Sequence, residues 1–344
     1  MKRMLLIIAV LLAILLTGLI VGSLQFNRFL ETPVTVPANG ASFEIKPGSS
    51  LAKVSKQLAE QGIIEKPAWF RRYGSWAGEA AAIQAGDYRI EPGTTPAELL
   101  QQFASGAVQL YSFTIIEGWN HWELLQALHD HPEIAADLQD DQWPAFIAEL
   151  GSEASSPEGL FLPETYSFPR GTSDKVVLTQ AFELMQEALA EEWQGRAENL
   201  PIETPYEALV LASIIEKETA RADERARISG VFVRRLQKRM RLQTDPTVIY
   251  GLMPDFNGNL TRKNLRADTP YNTYTRGGLP PTPIAMPGRA AINAALHPAD
   301  GEELFFVATG LGDGSHKFSA TKEEHDAAVQ EYLKRLRQQR RSGG

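Results

Sequence analysis

The segment Ala208-Leu-Val-Leu-Ala-Ser-Ile-Ile215 has no polar face. A helix that is apolar all round is buried, not laid on a surface. Its start is well marked. Thr204 stands as N-cap, Pro205 at the first helical position and Glu207 three residues after the cap. The run ends in Glu216 and Glu218. Ionising a carboxyl group away from water costs free energy. A carboxylate delivered by a buried helix is therefore paired for structure, or kept desolvated so that it holds a proton near neutral pH. Residues two apart on a helix diverge by about 200°, so the two cannot share a face. One can enter a cleft while the other meets solvent or a base such as Lys217, Arg221 or Arg225. Periodicity does not decide which, and two plain ion pairs are the default for an isolated Glu-x-Glu.

The amino end carries the next constraint. From Met4 to Gly22 the chain is apolar, and no charge follows until Arg28. About 20 such residues cross a bilayer. Lys2 and Arg3 precede the run, which keeps the amino end cytoplasmic and exports the bulk. Cleaved signal peptides have shorter apolar cores, so an uncleaved single-pass anchor is expected over residues 1–27. With no Cys, there is neither a lipoprotein attachment site nor a disulfide. An exported chain of 344 residues must then rest on its apolar core. The net charge of −8 is spread along the chain and argues against a nucleic-acid partner.

After a linker at 28–42, one pattern recurs three times. Phe43-Glu-Ile-Lys-Pro-Gly leads into Val54 and Leu58; Tyr88-Arg-Ile-Glu-Pro-Gly into Leu99, Leu100 and Phe103; Phe113-Thr-Ile-Ile-Glu-Gly into Leu124, Leu125 and Leu128. Each reads as a short strand, a Gly turn, a polar helix start and an amphipathic helix. The first two units and the helix around Trp69–Trp76 between them resemble a LysM-like β-α-α-β module, a type that binds N-acetylated glycans; a small α+β packing domain with no ligand fits the same pattern. This gives a small α+β module over 43–110 and a larger α+β domain over 111–340. An irregular insert, Pro157-Glu-Gly-Leu-Phe-Leu-Pro-Glu-Thr-Tyr-Ser-Phe-Pro169, interrupts a helix-rich stretch. Phe161 and Phe168 are expected to plug the core, while Glu164 is an open candidate for a sugar contact.

Two downstream segments favour a desolvated carboxyl group. Met240-Arg-Leu-Gln-Thr-Asp-Pro-Thr-Val-Ile-Tyr-Gly251 carries Gln243, Thr244, Asp245, Thr247 and Tyr250. Tyr271-Asn-Thr-Tyr-Thr-Arg-Gly-Gly-Leu-Pro-Pro-Thr-Pro283 adds Asn272 and Tyr274 beside a stiff proline wall. Amides and hydroxyls give directional hydrogen bonds, aromatics pack on sugar faces, and rigidity limits the ordering cost. These residues are the expected substrate-binding set.

Ala-Ser-Ile-Ile-Glu-Lys-Glu-Thr-Ala, Arg-Leu-Gln-Thr-Asp-Pro-Thr-Val-Ile-Tyr-Gly, Tyr-Asn-Thr-Tyr-Thr and Gly-Leu-Pro-Pro, in that order, resemble the endolytic murein transglycosylase (YceG-like) family. The resemblance implies a peptidoglycan lytic transglycosylase in the inner membrane, with its bulk periplasmic or extracytoplasmic. It implies that the enzyme cuts nascent glycan strands, limits their length and associates with peptidoglycan synthases. The family's catalytic acid falls on Glu218. Gln243, Thr244, Asp245 and Asn272 match family motifs, and Glu164 sits where relatives can have Asp. Such an enzyme needs one carboxyl group, because the C6 hydroxyl of the substrate attacks C1 in place of water. The rival readings are a wall-binding scaffold without turnover and a water-using muramidase.

No cofactor is expected. The His residues lack metal-ligand spacing, and Ser213 has no Gly-x-Ser-x-Gly elbow. His316 is expected to bond within a hairpin spanning Leu304 to Ser319. Arg234, Arg235, Lys238, Arg239 and Arg241 read as a solvated helix face, some of them able to meet stem-peptide carboxylates.

Overall fold

The computed structural model describes residues 2–342. The chain forms two compact units, Met1–Tyr111 with Ser167–Gly171, and Ser112–Tyr166 with Thr172–Gly344.

The first unit begins with α1 (Lys2–Glu31), none of whose residues is buried and which is long and apolar enough to cross a membrane. Then follow β1 (Ala41–Ile45), α2 (Leu51–Glu60), α3 (Pro67–Trp76), β2 (Gly86–Ile90) and α4 (Pro96–Ser105). β1 and β2 pair antiparallel, from Ala41 opposite Ile90 to Ile45 opposite Gly86. The period-two alternation points Phe43 and Ile45 into the core and Ser42 and Glu44 away. Val54 and Leu58 of α2, Phe70 of α3 and Leu99, Leu100 and Phe103 of α4 close on them. Ser50 caps α2. A capping box of Thr95 and Glu98 starts α4, and Gly106 ends it in the left-handed region at φ 71°. At Gly74 a Cβ would stand 2.5 Å from a Leu51 methyl, so only glycine lets α3 approach α2 there.

β3 (Leu110–Thr114) leads to α5 (His121–His129), β4 (Ile134–Ala135), α6 (Trp143–Glu149), β5 (Thr165–Pro169) and β6 (Thr172–Ser173). All three strand–turn–helix units are therefore present. The short β4 and β6 pair in parallel. Phe161 and Phe168 are at most 2% exposed, as expected for core plugs.

The rest of the second unit is built around α8 (Pro205–Glu218). α7 (Asp174–Gln194), α9 (Arg225–Gln237), α10 (Asp245–Tyr250) and α12 (Arg289–Leu296) pack on it; α11 (Arg262–Arg266) lies in the connection before α12. Residues 208–215 are at most 2% exposed. Thr204 and Glu207 form the capping box the sequence announces. The Ser213 hydroxyl donates to Val210 O and accepts the Ile284 N–H, so it pins the proline segment and is no nucleophile. The chain closes with the antiparallel hairpin of β7 (Phe305–Ala308) and β8 (His316–Ser319), then α13 (Lys322–Ser342).

Candidate active site

α8 ends on Glu218, because Thr219 turns at once into extended backbone at φ −148°, ψ 135°. The two glutamates part as the helical repeat requires. Glu216 Oε2 accepts the Gly288 N–H at 3.0 Å, and its Oε1 lies 3.4 Å from the Arg225 guanidinium. Its side chain is 5% exposed. Burial raises its pKa; the Gly288 N–H pulls it back, Glu117 adds to the rise and Arg225 opposes it. Glu216 is thus a clamp joining α8, α9 and the start of α12. Replacing it by Gln relieves a buried charge but should still cost about 1–3 kcal/mol in thermal or urea unfolding, because both Glu216 oxygens accept hydrogen bonds and the Gln NH2 must face either the Gly288 N–H or the Arg225 guanidinium. Glycan turnover should stay within tenfold of the native rate.

Glu218 turns the other way and lines a cavity of about 470 Å³. Its Oε1 accepts the hydroxyl of Thr244, itself 2% exposed. Burial pushes the carboxyl above the usual carboxylate range. The Thr244 bond pulls it partly back, the Asp245 charge adds to the rise, and His316 and Arg235 oppose it. A carboxyl group so placed can carry a proton at a pH where an exposed Glu would have lost it.

The segment 243–245 is held by the loop around Thr273. The Gln243 N–H donates to Thr273 O at 3.2 Å and the Thr244 N–H to Thr273 Oγ1 at 3.1 Å. Gln243 sits at φ 51°, a conformation disfavoured by about 1 kcal/mol or more for a residue with a Cβ. The two flanking bonds impose it and turn Gln243 into the cavity wall. Tyr274 donates its phenol to Asp245 Oδ1 at 2.6 Å. Burial first, then the bond to Asp245, raises the Tyr274 pKa, so it stays a donor.

Of the residues expected from sequence, Glu218, Gln243, Asp245 and Tyr274 line this cavity together, and Thr244 touches Glu218. The others lie elsewhere. Thr247 is wholly buried, donating to Thr244 O and sharing a hydrogen bond with Thr273. Tyr250 is 9% exposed, edge-on to Tyr271 with centroids 5.0 Å apart. Asn272 is wholly buried: its amide nitrogen lies 2.6 Å from Ala267 O and 3.2 Å from both Asn264 O and Leu265 O, and its oxygen accepts the Tyr274 N–H. Glu164 is exposed away from the cavity wall, its backbone oxygen accepting from Ile115. Asn272 and Thr247 therefore shape the wall from behind.

Two expectations need correction. Arg235 is no solvated residue: it is 8% exposed, with Nε 2.6 Å from Leu304 O and Nη1 2.8 Å from Leu242 O. Backbone carbonyls take its Nε and Nη1 donors, which lets a cation enter the wall. It lies 5.0 Å from the Phe305 ring centroid, and Phe305 stacks on His325. His316 reaches beyond its hairpin to Glu224, Nδ1 standing 2.7 Å from the carboxylate. The far wall, from β7 and from Lys322 and His325 of α13, went unseen in the sequence. The hairpin and helix are visible there, but nothing local says what they face. Among the described residues no group of three or more His, Cys, Asp or Glu could hold a metal ion.

The model of the YceG-like family matches residues 43–331, most of the chain. The chain belongs to the YceG-like family. Among curated relatives, it is 28% identical to the endolytic murein transglycosylase of Bacillus subtilis (strain 168), over 91% of this chain and 90% of the relative. It is 25% identical to the endolytic murein transglycosylase of Streptococcus pneumoniae serotype 2, over 94% of this chain but only 64% of that longer relative. A crystal structure of a YceG-like protein from Listeria monocytogenes matches with a TM-score of 0.54 and 27% identity, covering 85% of this chain and 99% of that one. The matched family region contains every cavity residue named above.

Proposed function

We propose that this protein is an endolytic lytic transglycosylase that cuts the MurNAc–GlcNAc bond of nascent peptidoglycan strands, with Glu218 as its one acid–base group. The names of the relatives support the reaction class. The observation that carries the residue assignment is the divergence of the two glutamates: Glu216 is consumed by Gly288 and Arg225, while Glu218 meets a cavity with its pKa raised.

Glu218 begins protonated and gives its proton to the glycosidic oxygen as the C1–O bond breaks. The C6 hydroxyl oxygen of the same MurNAc bonds to C1, and its proton passes to the Glu218 carboxylate. The acid is restored, water is not consumed, and the strand ends in 1,6-anhydro-MurNAc. An intramolecular nucleophile can be worth an effective molarity of roughly 10⁵ M or more, which lessens the need for a second catalytic carboxylate. Gln243 and Tyr274 offer polar contacts to the sugar. Arg235 and Lys322 supply positive charge for the carboxylates of stem peptides.

One observation favours a second reading, a water-using muramidase. Asp245 lines the same cavity, and two carboxyl groups are what a hydrolysing glycosidase employs. Mass spectrometry of the products from purified glycan separates the two. Anhydro ends are expected; reducing MurNAc ends would replace this mechanism with the hydrolytic one, and no cleavage would leave a wall-binding scaffold.

The raised Glu218 pKa fixes the pH response. The acid works only when protonated, so the rate falls as pH rises through that pKa. Asp245→Asn removes a charge that raises it, so the alkaline limb of the rate profile should move to lower pH. A limb that stays in place would separate Asp245 from the Glu218 proton.

The remaining assignments follow the same reading. α1 anchors the chain once in the inner membrane, residues 28–42 link it to a LysM-like glycan-binding module at 43–110, and residues 111–340 form the catalytic domain. The β1-α2-α3-β2 order supports the module assignment. Association with peptidoglycan synthases would place the cut on fresh strands.

A further inference from the structure

We propose that α3 is a membrane-surface element, its carboxyl-terminal end set into the lipid headgroups beside α1, with Trp76 as an interfacial anchor and Arg71 and Arg72 facing lipid phosphates. This rests on the reading that α1 spans the bilayer.

The placement follows from how the end of α1 meets α3. The large apolar residues of α1 are exposed as far as Leu24. Phe26 and Phe29 lie about 3 Å and 7.5 Å further along the axis, at a rise of 1.5 Å per residue. They are partly covered, and by α3. Phe29 meets Trp69 with centroids 5.8 Å apart; Phe26, one turn nearer the apolar stretch, meets both Trp69 at 5.8 Å and Tyr73 at 6.5 Å. One step toward the bilayer on α1 is thus one step toward the carboxyl end of α3. The next residue on that stripe is Trp76, 6.4 Å from Tyr73. It therefore stands level with the last apolar turns of α1, where a bilayer passes from hydrocarbon to headgroups.

Trp76 is 80% exposed, more than any of the large exposed apolar residues of α1. The core-facing side of α3 is a different one, formed by Phe70 and Gly74, so beyond its contact with Tyr73 the Trp76 ring is left open. Trp is the residue that settles at membrane–water boundaries, with an apolar ring and a polar N–H. Arg71 and Arg72 are exposed on the same helix, and Lys66 lies at its start with its ammonium 4.0 Å from the Trp69 ring centroid. Glu65 and Glu79 flank the helix with the opposite sign. Within α3 itself only cations are present, which suits an anionic leaflet. The small module would then be fixed at the membrane surface.

The chain has no Cys, so single labels can be placed freely. Leu15→Cys and Ala77→Cys, each carrying a nitroxide, would be reconstituted as full-length protein in vesicles of phosphatidylethanolamine and phosphatidylglycerol. Collision rates with oxygen and with a water-soluble nickel chelate report depth. We expect the label at 15 to sit in hydrocarbon. The label at 77 should meet the chelate at least fivefold less often than free nitroxide, and Trp76→Ser in that background should restore most of the collisions. A label at 77 as accessible as free nitroxide, with the label at 15 still in hydrocarbon, would overturn this inference and leave the anchor intact. Protection unchanged by Trp76→Ser would overturn it as well. A label at 15 in water would remove the anchor and this inference together.

Discussion

Glu218→Gln should lower glycan cleavage by about 10²–10⁴-fold or more, the range that general acid–base catalysis supplies, with the fold intact. Gln keeps the length and shape of the side chain, and its amide oxygen can still accept the Thr244 hydroxyl. What it lacks is a proton to give and a carboxylate to take one back. Stability should not suffer. A carboxyl group whose folded pKa is raised binds protons better in the folded state. It therefore detracts from stability at any pH above its unfolded pKa, and a neutral Gln removes that cost. The check is release of glycan fragments at matched enzyme concentration, beside thermal unfolding of both proteins. Turnover within tenfold of native, in a protein that unfolds normally, would mean that another group moves the proton. Glu216→Gln should give the converse pattern, some loss of stability with activity largely kept. An exchange of the two patterns would show that the wrong carboxylate had been assigned.

The sequence announces what depends on local pattern. The apolar run at 208–215, its capping box, the three strand–turn–helix units and the hairpin before α13 are all legible, because periodicity and caps act within a few residues. The site itself is only half legible. The polar motif 243–245 and Tyr274 stand out because they crowd hydrogen-bonding groups beside prolines. Arg235 does not, since a row of arginines on an amphipathic helix looks solvated. It is buried because carbonyls of residues 241, 242 and 304 converge on its guanidinium, and the last of these lies 69 residues further along the chain. His316 and Glu224 are likewise 92 residues apart. Asn272 misleads in the opposite direction. An amide in a Tyr- and Thr-rich loop suggests a sugar contact, and only the fold reveals that its bonds are spent on backbone.

Asn272→Leu therefore distinguishes a contact with substrate from support of the wall. Leu is close in size but offers no hydrogen bond. Among the groups around Asn272 are the carbonyls of residues 264, 265 and 267 and the Tyr274 N–H. An unsatisfied buried polar group costs about 1–3 kcal/mol, and water entry or small shifts recover part of it. A net loss of about 2–4 kcal/mol in unfolding free energy is the expected result. Activity should fall too, by at least tenfold, because the same change frees Tyr274, whose phenol holds Asp245 at the cavity. That loss should appear in kcat as well as KM, since a loosened wall misplaces the reacting sugar instead of merely weakening its binding. Unchanged stability with a rise in KM alone would put the amide on the glycan and return Asn272 to the binding set. Asn272→Asp sharpens the distinction. It keeps the oxygen that accepts from Tyr274 but removes both amide protons, and it turns a carboxylate toward three carbonyls in a fully buried position. A wall support should tolerate that less well than Leu at neutral pH, whereas an exposed sugar ligand would lose only affinity.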